Sequence, residues 1–228
     1  MNEFNNQSKE MKQEVSKMTQ LLDFTYDKAL NGLPMSKDIK ELADSYTKKY
    51  QNSEVAIKKM VSWQIRKATT SGFVTGLPGL ITTPVTLPVN ISSVLYIQMR
   101  MIAGVAHIRG YDLKDDEVKT MVYMCLAGQS VGDVLKAGGV QVAKKAATSG
   151  IKKIPGTVIV KINQAIGFRL ITKFGEKGVI NLGKLIPFAG GIVGGGFDMT
   201  TTRTIAKFAT NTFTAFENDN ERARIIID

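Results

Sequence analysis

The sequence predicts an all-α fold, a multi-helix bundle with glycine-rich helical hairpins. Three observations lead there. Apolar side chains return at i, i+3, i+4 and i+7 through most of the chain, the period of an amphipathic helix. Strand-like alternation with period two persists nowhere. Glycine and proline gather between the periodic segments, where they break one helix from the next. With 228 residues, 43% of them hydrophobic, the chain can bury a sizeable core and is too apolar for global disorder.

The elements follow in order. Met11, Val15, Met18, Leu22, Tyr26 and Ala29 line one face of a first helix, which stops near Asn31-Gly32 with Pro34 beyond. Ser36 is the candidate cap of a second helix carrying Ile39, Leu42, Ala43, Tyr46 and Tyr50. Ser53 is the candidate cap of a third, striped by Ile57, Met60, Val61, Ile65 and Ala68. Its Lys58, Lys59, Arg66 and Lys67 lie off the stripe, and Trp63 borders it. From Ser71 to Met99 no residue is charged, and Gly72, Gly76, Pro78, Gly79, Pro84 and Pro88 interrupt any single helix. A long helix resumes near Pro88 and runs to Ile108, with Gly110 as its stop. Asp112 or Asp115 caps the next, which shows Val118, Met121, Val122, Cys125 and Leu126; Val131, Val134, Leu135, Gly138 and Val142 continue the period. Pro155 starts a helix bearing Val158, Ile162, Ala165 and Ile166. After the glycine-rich stretch 175–196, a last helix is expected from Phe197 through Ile205 and Phe208 to Phe216.

Chemistry is bounded mainly by exclusion. A single cysteine, Cys125, excludes an intramolecular disulfide and a cysteine-cluster zinc site, and it falls on an apolar stripe. A single histidine, His107, excludes a multi-histidine metal site within one chain. It lies near the end of an apolar helix, where an imidazole meets the negative end of the helix dipole. Asp115, Asp116 and Glu117 read as charges at a helix N-terminus, not as a metal site. Gly128-Gln129-Ser130-Val131-Gly132 matches the nucleophile-elbow pattern, but that elbow needs a strand before it, and a triad histidine after the serine. Here a helix precedes, and His107 comes before Ser130. The glycine run matches neither phosphate-binding fingerprint. No metal and no cofactor is predicted.

Charge says more. The chain carries 30 Lys+Arg against 20 Asp+Glu, a net charge of +10. Residues 141–185 alone hold nine basic side chains and one acidic, and Lys144, Lys145, Lys152, Lys153 and Lys161 among them are candidates for binding an anionic surface. Gly190/Gly194 and Gly191/Gly195 form two overlapping G-x-x-x-G spacings, which permit close helix packing in a membrane or a core. Asp198 follows, and with Arg100 and Arg203 it makes a candidate polar pocket, whose simpler reading is a structural ion pair. The window Val89–Ile108 has spanning length, but Arg100, His107, Asn90 and Gln98 make it a poor span. Nucleic-acid binding is disfavoured, because the basic stretch holds only Phe168 and Phe174 as aromatics and no recognition motif. Residues 1–7 show no basic stretch followed by an apolar one, so the expected location is cytoplasmic, with possible membrane association.

Two blocks carry a family resemblance. One is Pro84-Val-Thr-Leu87-Pro88 leading through Arg100 to Ile108-Arg-Gly110-Tyr111-Asp112. The other is Arg169-Leu-Ile-Thr-Lys173-Phe174-Gly175-Glu176-Lys177-Gly178, then Lys184-Leu-Ile-Pro187, then Gly190 through Asp198. Over roughly residues 55–215 the chain resembles the EcsC family. That family takes its name from a product encoded beside an ABC transporter, and it has no established activity, so the resemblance implies no catalytic role. It implies a helical domain similar in texture to bacterial domains placed at membranes, some of them joined to GTPases. Where the family pattern carries a tyrosine before the Gly-Tyr-Asp element, this chain has His107-Ile108-Arg109, which argues against a functional histidine. The expected organisation is an N-terminal helical region 1–52, an EcsC-like domain 53–216 and a charged tail 217–228. The expected partner is an anionic membrane surface or a membrane protein; an enzyme of unknown reaction and an adaptor or immunity-type binding module are the alternatives. Oligomeric state has no signature in the sequence.

Overall fold

The computed structural model describes residues 2–34, 36–69, 89–128, 156–174 and 192–214. Among these it is all helical: α1 (Asn2–Asn31), α2 (Ile39–Lys49), α3 (Ser53–Thr69), α4 (Val89–Ile108), α5 (Asp116–Ala127), α6 (Gly156–Phe174) and α7 (Ile192–Thr212). The glycine-rich hairpins expected in 71–88 and 175–191 fall outside the described residues.

α4 is the hub. It packs against α1, α2, α3, α5 and α7, while α1 and α5 hold α6. Every residue from Ser93 to Ala106 is buried. A helix that is apolar around nearly its whole circumference belongs inside a bundle or inside a lipid layer, and here five neighbours supply the surroundings. Among the described residues no helix is long and apolar enough to cross a membrane.

The outer helices bury stripes. On α1, Met18, Leu21, Leu22, Thr25, Tyr26 and Ala29 face inward; on α7, Thr202, Ile205, Ala206 and Ala209 do so, with Phe213 buried just beyond its end. On α6 the buried residues among those described are Ile162, Ile166, Gly167 and Leu170, whereas Ala165, expected on that stripe, is exposed. Gly167 takes its place toward α1, where a Cβ would stand 3.4 Å from Val15. Gly104 does the same for α4. A Cβ there would lie 2.7 Å from the Met60 sulfur, so the missing side chain is what lets α3 close on the hub.

The turns explain the helix ends, and several differ from expectation. Gly32 ends α1 with φ +80. Ser36 does not cap α2. Its hydroxyl accepts from Leu33 N–H (2.7 Å) and donates to Leu33 C=O (2.9 Å), closing the α1–α2 turn. The cap is Asp38, whose carboxylate accepts from Glu41 N–H at 2.8 Å. Ser53 is likewise the first helical residue and not the cap of α3; Asn52 accepts from Glu54 and Val55 N–H. α4 ends in a Schellman motif, with Tyr111 N–H bonded to Ala106 C=O and Gly110 N–H to His107 C=O. Asp115 precedes α5 without a side-chain cap bond, and Gly128 closes that helix in the left-handed region. The continuation through Val131 to Val142 lies outside the described residues. α7 begins at Ile192, five residues before Phe197, so Gly194, Gly195 and Gly196 are helical, and it ends at Thr212.

Candidate functional site

Arg100 is the natural starting point, because a guanidinium at 6% exposure must have its charge answered. α4 aims it at the junction of α1 and α2. Its Nη2 donates to Lys37 C=O at 2.7 Å, and its Nη1 donates to Tyr96 OH at 3.3 Å and Ala29 C=O at 3.4 Å. Tyr96, one turn earlier on α4, also sets its ring 5.7 Å from the guanidinium carbon. Ala29 belongs to the last turn of α1, whose unsatisfied carbonyls form the negative end of the helix dipole. Gly32 and Ser36 bend the chain so that the Lys37 carbonyl turns back onto the same charge. The arrangement clamps the end of one helix to the middle of another.

Gln98 shows which way α7 lies. Its Nε2 donates to Thr202 Oγ1 at 3.0 Å across the buried α4–α7 contact. Arg100 is two residues further on, about 200° around the helix, and so faces the opposite side. Arg203 is exposed on α7. The structure therefore does not bring Arg100 and Arg203 together. Asp198 lies on the α7 backbone, one turn before Thr202, and its side chain is outside the description.

A second polar cluster was not foreseen from the sequence. At the α1–α5 contact, Tyr123 OH donates to Asp23 Oδ1 at 2.9 Å, and the Lys119 ammonium stands 2.6 Å from the same oxygen. The Tyr26 and Tyr123 rings meet edge-to-face at 5.9 Å, with the Lys119 ammonium 5.8 Å and 5.9 Å from their centroids. Tyr26 OH donates to Leu113 C=O at 2.8 Å, tying the α4–α5 loop to α1. Burial, then the Asp23 carboxylate, holds the Tyr123 hydroxyl protonated far above the usual tyrosine range; burial, then Asp112 and Asp115, raises Tyr26. Such phenols donate hydrogen bonds and do not act as bases. The i, i+3 spacing of Asp23 and Tyr26 and the i, i+4 spacing of Lys119 and Tyr123 were readable, but nothing in the sequence paired α1 with α5.

The remaining groups fasten helices. His107 Nε2 lies 3.1 Å from Asp44 Oδ1, joining the last turn of α4 to α2, and Arg109 pairs with Glu54 of α3. Burial pushes the Cys125 thiol up to about 12, which makes it a packing residue and not a nucleophile. On α3, burial and then the field of Arg100 lower the Lys67 ammonium. The G-x-S-x-G match begins at Gly128, the end of a helix; the rest of it lies outside the described residues. Among the described residues no cluster of His, Cys, Asp and Glu could hold a metal ion.

Lys144, Lys145, Lys152, Lys153, Gly190 and Gly191 also lie outside the described residues. Lys161 is on the α6 backbone, and Gly194 and Gly195 are in the first turn of α7.

No curated protein and no solved structure matches the chain. The family model of the EcsC protein family matches residues 3–215, beginning well before the two blocks that carry the resemblance. The matched span takes in α1 and α2, whose junction supplies the carbonyls around Arg100, as well as α7 at the far side of the hub, and the chain is accordingly a member of the EcsC protein family.

Proposed function

We propose that this protein associates peripherally with an anionic membrane surface, or with a protein embedded in one, and does so through surface charge. One observation carries the reading. The chain has a net charge of +10, while its long apolar helix, α4, is enclosed by five other helices with Arg100 buried in its middle. Among the described residues the helix with the apolarity for insertion is occupied by the core, which leaves the basic charge as the means of attraction to an anionic membrane.

The nine basic residues of 141–185 support this, with Lys144, Lys145, Lys152, Lys153 and Lys161 as the proposed contacts, each contributing about 1 kcal/mol near an anionic surface. Gly190, Gly191, Gly194 and Gly195 are proposed to serve close helix packing. The alternatives, an enzyme built on Arg100, Asp198 and Arg203 or an adaptor-type binding module, have no observation among the described residues in their favour. The test is co-sedimentation with neutral and anionic liposomes at low and high salt. Binding to anionic liposomes alone, lost in salt and abolished when the five lysines become glutamate, is expected. Unchanged binding by a folded five-lysine variant overturns the assignment of the contacts, and no binding to any liposome overturns direct membrane attachment.

A further inference from the structure

We infer that the outward side of the α3–α7 pair is the surface that docks on an anionic phospholipid bilayer, with Trp63 as its interfacial anchor. The inference rests on the charge-driven attachment proposed above and names a basic face separate from its five lysines, since Lys161 is on α6, which packs on α1 and α5.

The registers come first. Glu54 pairs with Arg109, and Met60 abuts Gly104, so α3 runs antiparallel to α4. Gln98 bonds Thr202, and Tyr111 OH donates to Thr214 C=O, so α7 runs parallel to α4. α3 and α7 also pack on each other. They are therefore antiparallel neighbours laid over the hub, and Trp63 falls level with the turn that holds Arg203 and Lys207. Three mutually packed helices leave α3 and α7 with their outer faces on one side of the molecule.

That side has a uniform chemistry. On α3 the exposed residues Val55, Lys59, Ser62, Trp63 and Arg66 form a stripe at helical spacing, about 16 Å long, with Lys58 beside it. On α7 the exposed residues include Arg203, Thr204, Lys207 and Asn211. Five exposed cations thus share the face. The carboxylate at its edge, Glu54, is paired with Arg109. Elsewhere among the described residues α1 and α2 expose both signs, and the first turn of α5 is acidic.

The apolar content is as telling. Only three large hydrophobic side chains are exposed among the described residues, and two of them, Val55 (40%) and Trp63 (47%), are on this stripe. Lys67 places its ammonium 5.7 Å from the centroid of the Trp63 ring. An indole standing out of a basic, hydroxyl-bearing helix face matches the headgroup layer, where its ring meets acyl chains and its N–H meets water. A nucleic-acid groove would interleave several aromatics with its cations; this face has one.

Trp63 is the only tryptophan in the chain, so its emission reports on this face alone. The experiment titrates the full chain with phosphatidylcholine vesicles, with and without phosphatidylglycerol, and follows emission and co-sedimentation together. The expected result is a blue shift, and quenching by bromine-labelled acyl chains, only with the anionic vesicles. Losing a cation at such a surface lowers partitioning about fivefold. Lys58→Gln with Lys59→Gln, and separately Arg203→Gln with Lys207→Gln, should therefore each weaken binding about 25-fold at unchanged helical circular dichroism. Co-sedimentation without any change in Trp63 emission overturns the docking face and leaves the peripheral reading standing. Neither signal overturns both the docking face and direct membrane attachment. Binding that ignores the Arg203/Lys207 pair overturns the shared two-helix face. An emission shift with duplex DNA but not with vesicles overturns the lipid partner.

Discussion

If the Arg100 cradle is structural, removing the guanidinium must cost folding energy whatever the protein does. In Arg100→Met a side chain of similar length stays in the core, but the Lys37 and Ala29 carbonyls lose their donors at 2.7 Å and 3.4 Å, and Tyr96 OH loses its donor at 3.3 Å. An unsatisfied buried carbonyl costs about 1–3 kcal/mol, and bonds to charged groups are the stronger ones. Relief from burying the cation offsets part of this. Because the Lys37 bond is short and the other two are long, the expected net loss is about 2–4 kcal/mol. For a chain of 228 residues that corresponds to a fall in Tm of about 4–16 °C. Urea unfolding followed by far-UV circular dichroism gives the same quantity as a shift in midpoint at constant m. Arg100→Lys keeps the charge but loses the planar fork, and should fall between wild type and Arg100→Met. A loss below about 0.5 kcal/mol for Arg100→Met would refute the clamp, because carbonyls that tolerate losing their donor were never dependent on it.

Other outcomes follow from the same geometry. Gly32→Ala should cost about 2–4 kcal/mol in chemical denaturation, since φ is +80 and the new Cβ would meet the Ser36 and Lys37 carbonyl oxygens at 2.9 Å. It displaces an Arg100 acceptor, so adding Arg100→Met should cost less than in the wild type, as a double-mutant cycle would show. Thermal stability should fall as pH rises above about 9. The folded state holds the protons of Cys125, Tyr26 and Tyr123 more tightly than the unfolded chain does, so their contribution is whole below the unfolded values of 9.0 and 10.0 and is lost above them. Lys67, shifted down, opposes this partially; a Tm that stays flat from pH 8 to 11 would contradict the burial of the three groups. Cys125 is fully buried, so a thiol reagent should label the native protein at least about a thousandfold more slowly than the urea-unfolded chain.

How far the sequence reached can be judged from particular residues. The helical periods of α1, α2, α3 and α5 were legible because each buries a stripe. Helix starts were less so: Ser36 and Asp38 both suit a cap, and only the geometry of the turn assigns Ser36 to Leu33 and Asp38 to Glu41. The start of α7 is not legible because each glycine costs a helix about 1 kcal/mol relative to alanine, which places Gly194–Gly196 in a loop on local grounds; α7 is helical through them. Arg100 stands out in the sequence as a charge in an apolar helix. Its carbonyl acceptors had no signature, because every residue has a carbonyl and only the turn at Gly32 decides which ones face inward.

The same limit separates charge composition from charge geometry. The basic excess of 141–185 is visible as a count. In the sequence the α3 cations are visible only as residues off a stripe, and nothing there pairs Arg203 and Lys207 with them. What joins them is two registers, fixed by Gln98 with Thr202 beneath the face and by Glu54 with Arg109 at its edge. A buried hydrogen bond and an edge ion pair thereby determine that cations far apart in sequence share one side of the molecule. It follows that slipping α7 by one helical residue, about 100° of rotation, would turn Arg203 and Lys207 away from Trp63 without altering the charge of the chain. If the proposed face docks on lipid, its charge geometry is a property of helix packing, and changes at Gln98 or Thr202 should affect surface binding through the core.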